Sequence, residues 1–197
     1  MNWLAHLFLS KPTVEDRLGN LLADLVKGTD RQKLSSRFNS GIQSHLAIDR
    51  FTDRHLIVKQ SKARITSDYK RYSGVLVDIF YDHILARNWQ KYSSVSLSEF
   101  TEEIYISFQN NLNELPLATS QRIEQMINRK LLDSYYDISG IERTLTRIKK
   151  RLSNKHTDLF IVSDALKQLE DNYIYFEADF NIFFPEIIDF LQQEKYR

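Results

Sequence analysis

Cysteine is absent from the 197-residue chain, which excludes disulfides and thiolate metal sites and leaves nitrogen and oxygen as the ligand atoms a metal would meet. The same absence accords with a reducing compartment, and the chain reads as cytoplasmic. Glycine and proline are scarce, at five and three residues, so few points interrupt the chain. No sign of charge dominates: 27 Lys and Arg against 26 Asp and Glu leave a formal charge of +1. A field so balanced does not seek nucleic acid, and any charged partner must be met by a local patch. The opening apolar run, residues 3–9, is too short to span a bilayer. It lacks both a preceding basic region and a small-residue cleavage site, so no membrane segment is expected.

What the chain does contain is apolar residues recurring at three- and four-residue spacing over long segments, which predicts an all-α fold. Its length suits a single helical domain over 1–197 with a real core. Helices are expected over about 14–27 with Gly28 as the stop, from Gly41, over about 72–91, and over about 120–132. Two more are expected behind capping boxes at Ser96/Glu99, reaching about Asn113, and at Ser139/Glu142. A last helix is expected over about 157–184, with Pro185 kinking it or opening a final short one. Residues 92–197 read as scaffold. Their Tyr173, Phe176, Phe180, Phe183 and Phe184 supply aromatic core, and the cluster Arg147–Arg151 reads as a solvated face.

Two polar constellations stand out in the stretch 41–89. The segment from Val75 to Leu85 is apolar on every side of a helix, yet Asp78 and Asp82 lie within roughly 40° of Leu85 and Trp89 on its wheel. A buried ionised carboxylate without a partner is costly, so such groups are protonated, hydrogen-bonded or bound to a cation. In the second constellation, His45 and Asp49 are one helical turn apart, a spacing at which both side chains can address one ion. Surface pairs at this spacing are also common. His6 sits among apolar residues, and His83 follows Asp82 in the buried segment. Asp24, mid-helix, reads on its own as an exposed residue. Accumulation favours a site: His6, Asp24, His45, Asp49, Asp53, Asp78, Asp82 and His83 all fall within 1–91, with no comparable set beyond. The run Lys59, Lys62, Arg64, Lys70 and Arg71 reads first as a solvated helix face.

The residues Asn2-Trp3-Leu4-Ala5-His6-Leu7, Gly19-Asn20-Leu21-Leu22-Ala23-Asp24, Gly41-Ile42, His45, Ile48-Asp49, Thr52-Asp53, Asp78, Asp82-His83 and Trp89 resemble, in order and spacing, the acyl carrier protein phosphodiesterase family. The resemblance extends through Tyr173, Glu177, Phe180 and Phe184-Pro185. It implies a helical fold related to the HD phosphohydrolases, a requirement for manganese or another divalent cation, and release of 4′-phosphopantetheine from the serine of holo acyl carrier protein. On that reading Asp24, His45, Asp49 and Asp82 lead as metal ligands. His6 and His83 complete the set or move protons, with Asp24, His45 and His83 carrying the chemistry. Asp53 and Asp78 orient ligands or pair with Arg50. The basic run 59–71 becomes a docking patch for an acidic carrier. Two alternatives stay open: an HD-like hydrolase of a nucleotide or other small phosphoester, and a non-catalytic carrier-binding module.

Overall fold

The computed structural model describes residues 1–152 and 160–194. Among these the regular elements are α-helices joined by short 3-10 turns, with no strand, as the periodicity predicts. The α-helices are α1 Trp3–Leu9, α2 Val14–Leu25, α3 Thr29–Gln32, α4 Asn39–Arg54, α5 Leu56–Arg64, α6 Ser73–Arg87, α7 Leu97–Gln109, α8 Leu117–Asn128, α9 Ile138–Lys149 and α10 Val162–Glu194. No helix among the described residues is long and apolar enough to cross a membrane. Contacts group the chain into two compact units. One comprises Trp3–Arg50 and Asn88–Asp133; the other comprises Met1–Asn2, Phe51–Arg87 and the described part of Ser134–Arg197.

In the first unit, α1, α2, α4 and α7 carry the architecture. Thr13 caps α2 by accepting the Asp16 N–H at 3.2 Å, and Leu18, Leu21 and Leu22 of that helix are buried. The decisive contact is between two glycines. A Cβ on Gly41 would stand 2.1 Å from the Asp16 carbonyl oxygen and 2.8 Å from the Gly19 Cα. One on Gly19 would stand 2.3 Å from the Phe38 carbonyl oxygen. The backbones of α2 and α4 therefore touch, an approach open only to residues without a side chain. On the other flank of α2, Arg17 donates to Glu103 of α7 at 2.7 Å and lies over the Phe100 ring. Phe8, Trp89 and Phe100 pack edge to face and tilted beside it.

In the second unit, α6 is the buried axis: Leu76, Val77, Ile79, Phe80, Tyr81 and Ile84 are all fully enclosed. Phe80 meets Phe176, and Tyr81 meets Phe180, both on α10. A polar chain ties α5 to α10 within this apolar setting. Ser61 donates to Asp179 at 2.7 Å, which leaves the Tyr81 hydroxyl to donate to Ser61 at 2.8 Å. Arg64 adds an ion pair to the same carboxylate at 3.2 Å. Burial raises the Tyr81 pKa and so keeps its hydroxyl a donor. His83 is buried, with Nδ1 donating to the Tyr135 carbonyl at 2.7 Å.

Several boundaries differ from the sequence expectation. α2 stops at Leu25 because Val26 is extended and Arg31 donates to the carbonyls of Ala23 and Val26; Gly28, at φ 63°, supplies the turn that follows. α4 opens at Asn39, so Gly41 lies inside the helix, where the crossing demands it. α6 ends at Arg87, and Trp89–Lys91 form a 3-10 turn. The Ser96/Glu99 capping box is present, but α7 stops at Gln109. α8 begins directly after Pro116 and ends at Asn128, with Lys130 in the left-handed region. Ser139 lies inside α9, its hydroxyl accepting from Arg143 at 3.2 Å, and Asp137 is the residue that precedes that helix. Of the expected last helix, residues 157–159 lie outside the described residues. Phe160 and Ile161 precede α10, which continues through Pro185. A proline there forfeits one backbone hydrogen bond, and the burial of Phe183, Phe184, Ile187 and Leu191 on either side of it holds the helix together.

Two stability tests follow from these contacts. Gly41→Ala should destabilise the fold by at least the about 1–3 kcal/mol of an overpacked core, a fall in Tm of roughly 5 °C or more. An unchanged melting curve would contradict the helix crossing. Burial is the main influence on His83 and lowers its pKa below the ordinary 6.5, with the Tyr135 carbonyl opposing. The unfolded chain therefore binds a proton that the folded chain refuses, and stability is lost as pH falls through about 6.5. Urea midpoints between pH 7.5 and 5.5 should fall less steeply for His83→Gln than for the wild type, the difference bounded by about 1.4 kcal/mol per pH unit. Parallel profiles would contradict this.

Candidate metal centre

Three helices of the first unit deliver four polar side chains to one place. α1 brings His6, α2 brings Asn20, and α4 brings His45 and Asp49. A residue and its fourth successor overlie one another on a helix, and His45 Nε2 accordingly lies 3.1 Å from Asp49 Oδ2. From α1, His6 Nε2 lies 3.2 Å from the other oxygen, Oδ1. The two imidazoles are stacked, with ring centroids 4.3 Å apart and planes inclined by 24°. At their opposite edges, both Nδ1 atoms are 3.0 Å from Asn20 Oδ1. His6 and Asn20 are buried, whereas the Asp49 side chain is 45 % exposed, so the cluster opens to solvent on the carboxylate side.

The electrostatics suit a cation. Burial is the largest influence on His6 and lowers its pKa against the pull of the Asp49 carboxylate, so near neutral pH the ring keeps an electron pair to donate. Burial alone would raise the Asp49 pKa, but its contacts with His45 and His6 outweigh that and hold it far below the ordinary carboxylate range. The carboxylate is thus ionised. His6 Nε2 is buried and has no hydrogen-bond partner among the described residues, in spite of its nearness to Asp49. Among the described residues, His6, His45 and Asp49 are the trio of potential ligands whose donor atoms fall within 4.8 Å of one another. Two imidazole nitrogens, one of them otherwise orphaned, and one carboxylate form a donor set that fits a divalent transition metal.

The structure places the remaining candidates elsewhere. Asp24 is exposed, accepts the Trp3 indole N–H at 2.9 Å and is not part of the trio. Asn20, one turn earlier on α2, is the residue of that helix that meets the two histidines. Asn20 is the residue that sequence reasoning missed, although a poor helix former flanked by Leu18, Leu21 and Leu22 was a signal. Asp82 is fully buried on α6, in the second unit. There His83 lines a cavity of about 430 Å³ with Arg87, Tyr136, Asp137, Ile138 and Tyr173.

The expected pairing of Asp53 and Asp78 with Arg50 is corrected: Asp53 pairs with Lys62 at 3.1 Å, and Asp78 with the amino group of Met1 at 3.1 Å. Lys62 is nine residues from Asp53 across the α4–α5 junction. Of the basic run, Arg64 is also engaged, by Asp179 and over the Tyr175 ring. Lys59, Lys70 and Arg71 are exposed.

Comparison with known proteins bears on this geometry. The chain is 30 % identical over 190 residues to an acyl carrier protein phosphodiesterase of Photorhabdus laumondii, covering 96 % of this chain and 94 % of the relative. A protein of the same name from Yersinia enterocolitica is 28 % identical over 196 residues, 99 % of this chain and 100 % of the relative. Another, from Serratia proteamaculans, is 30 % identical over 200 residues, 99 % of this chain and 98 % of the relative. No solved structure matches the chain. The profile of the family described as acyl carrier protein phosphodiesterase matches residues 1–187, and the chain belongs to that family.

Proposed function

We propose that this chain hydrolyses the phosphodiester joining 4′-phosphopantetheine to the serine of holo acyl carrier protein, yielding apo carrier and free 4′-phosphopantetheine. The reaction would proceed in the cytoplasm, within fatty acid biosynthesis, with a divalent cation, manganese foremost, held by His6, His45 and Asp49. The observation that carries the chemistry is the buried, otherwise unpartnered His6 Nε2 aimed at the Asp49 carboxylate beside a second imidazole.

Cleaving a phosphodiester requires an activated water oxygen, relief of charge on the phosphoryl oxygens, and a proton for the departing serine oxygen. A bound divalent cation supplies the first two, by acidifying water and drawing off phosphoryl charge. The chain's own contribution is to hold donors in place. α1 and α4 fix His6, His45 and Asp49, and burial keeps His6 an electron-pair donor. The partly exposed Asp49 edge is where a phosphoester enters.

Carrier docking falls on the exposed Lys59, Lys70 and Arg71, since Lys62 and Arg64 already have carboxylate partners. Exposed charges speed encounter with an acidic partner and make it salt-sensitive.

Incubation with holo acyl carrier protein should convert the carrier's intact mass to that of the apo form with Mn²⁺ and not with chelator. Asp49→Asn and His45→Ala should cut turnover by more than the roughly 10–100-fold that loss of a ligand's supporting partner costs, with helical circular dichroism retained. An unchanged carrier mass, alongside turnover of a small phosphoester by the same preparation, would overturn the assignment. Reversing Lys59, Lys70 and Arg71 together to Glu should raise KM several-fold at low salt and leave kcat near its wild-type value. Identical KM values would remove the docking patch.

A further inference from the structure

The amide of Asn20 has two donors and two acceptor positions, and its surroundings use all four. Nδ2 faces Ser10 Oγ at 2.9 Å and the His6 carbonyl oxygen at 3.3 Å. Ser10 Oγ directs its single hydrogen to that same carbonyl at 2.8 Å, so it meets Asn20 with a lone pair. Both neighbours on this side are acceptors, and only an NH₂ group satisfies them. The orientation of the amide is thereby fixed, and Oδ1 points at His6 Nδ1 and His45 Nδ1, 3.0 Å away in each case. An oxygen acceptor at that distance requires a hydrogen on each nitrogen. Turning the amide over would set an oxygen against the His6 carbonyl.

From this arrangement we infer that Asn20 is a positioning residue, one amide oxygen holding both His6 and His45 in the Nδ1–H tautomer so that both Nε2 lone pairs face the Asp49 carboxylate. The neutral histidine side chain in water prefers the opposite, Nε2–H, tautomer. A single acceptor that reverses the preference in two rings, and fixes both ring planes, prepares two ligands at once. The use of this preparation rests on the proposed metal centre; the tautomers themselves do not. Asn20 meets the two rings at Nδ1 and not at Nε2, and acts only through them. The role matches the outer partners of metal-bound histidines, which orient the ring and make the coordinating nitrogen a better donor.

Long-range ¹⁵N–¹H spectra of the wild-type protein without metal test the tautomers directly. The inference expects two of the five histidines, identified through His6→Gln and His45→Gln, to show a protonated Nδ1 and an unprotonated Nε2. Nε2–H signals from both rings would overturn it. Mn²⁺ affinity, read from the electron paramagnetic resonance signal of the free ion, is the second arm. Asn20→Leu should weaken binding by about 10–100-fold and return the rings toward Nε2–H. Should Asn20→Leu fail to fold, the wild-type spectrum still decides. Two Nδ1–H rings in a protein that binds no Mn²⁺ would uphold the clamp and defeat the metal reading. Unaltered Mn²⁺ affinity and tautomers in a folded Asn20→Leu protein would defeat the clamp.

Discussion

Everything at the candidate site depends on the backbone of α2 touching that of α4 at Gly19 and Gly41. The contact leaves no room for a Cβ on either residue. Asn20 directly follows the first glycine, and His45 lies one turn beyond the second. A larger residue at either position would push the two helices apart and draw the amide oxygen of one away from the imidazole of the other. Close-packed interiors transmit such displacements because they contain little free space to absorb them. α1 then closes the cluster from a third direction with His6, anchored through Ser10 and Asn20.

Among the four side chains of the cluster, His6, Asn20, His45 and Asp49, hydrogen-bond satisfaction stops one buried atom short of complete. Asn20 has every donor and acceptor used, and both Nδ1 atoms are partnered. His6 Nε2 is left facing an ionised carboxylate. Asp16 Oδ1 and Arg17 Nε on α2 are also buried and unpaired, so it is the conjunction of His6 Nε2 with a second imidazole and a carboxylate, and not the unpaired atom alone, that suits a cation. The polar chain of Ser61, Tyr81, Asp179 and Arg64 in the second unit is the contrast: its hydroxyls and carboxylate satisfy one another, and it serves to bind α5 and α10.

The all-α fold was legible in the sequence because apolar periodicity and scarce breakers dominate the chain. So was the His45–Asp49 pair, since one helical turn constrains both side chains regardless of tertiary context. His6 joined them only through accumulation, as no local rule brings residue 6 to residue 49. Asp24 was singled out through the family resemblance and Asn20 was not singled out, whereas the backbone contact at Gly19 sets the depth of the site along α2. Helix ends were misplaced where tertiary contacts decided them: Arg31 capping α2, the glycine crossing inside α4, and aromatic burial carrying α10 through Pro185.

The central claim is that His6, His45 and Asp49 form the metal centre of a carrier phosphodiesterase. Anomalous diffraction at the manganese edge from crystals equilibrated with Mn²⁺ tests it most directly. The account predicts a peak at coordination distance from His6 Nε2, His45 Nε2 and the Asp49 carboxylate, lost in Asp49→Asn crystals. A peak bound by other residues, in a preparation that strips the carrier to its apo form, would contradict it.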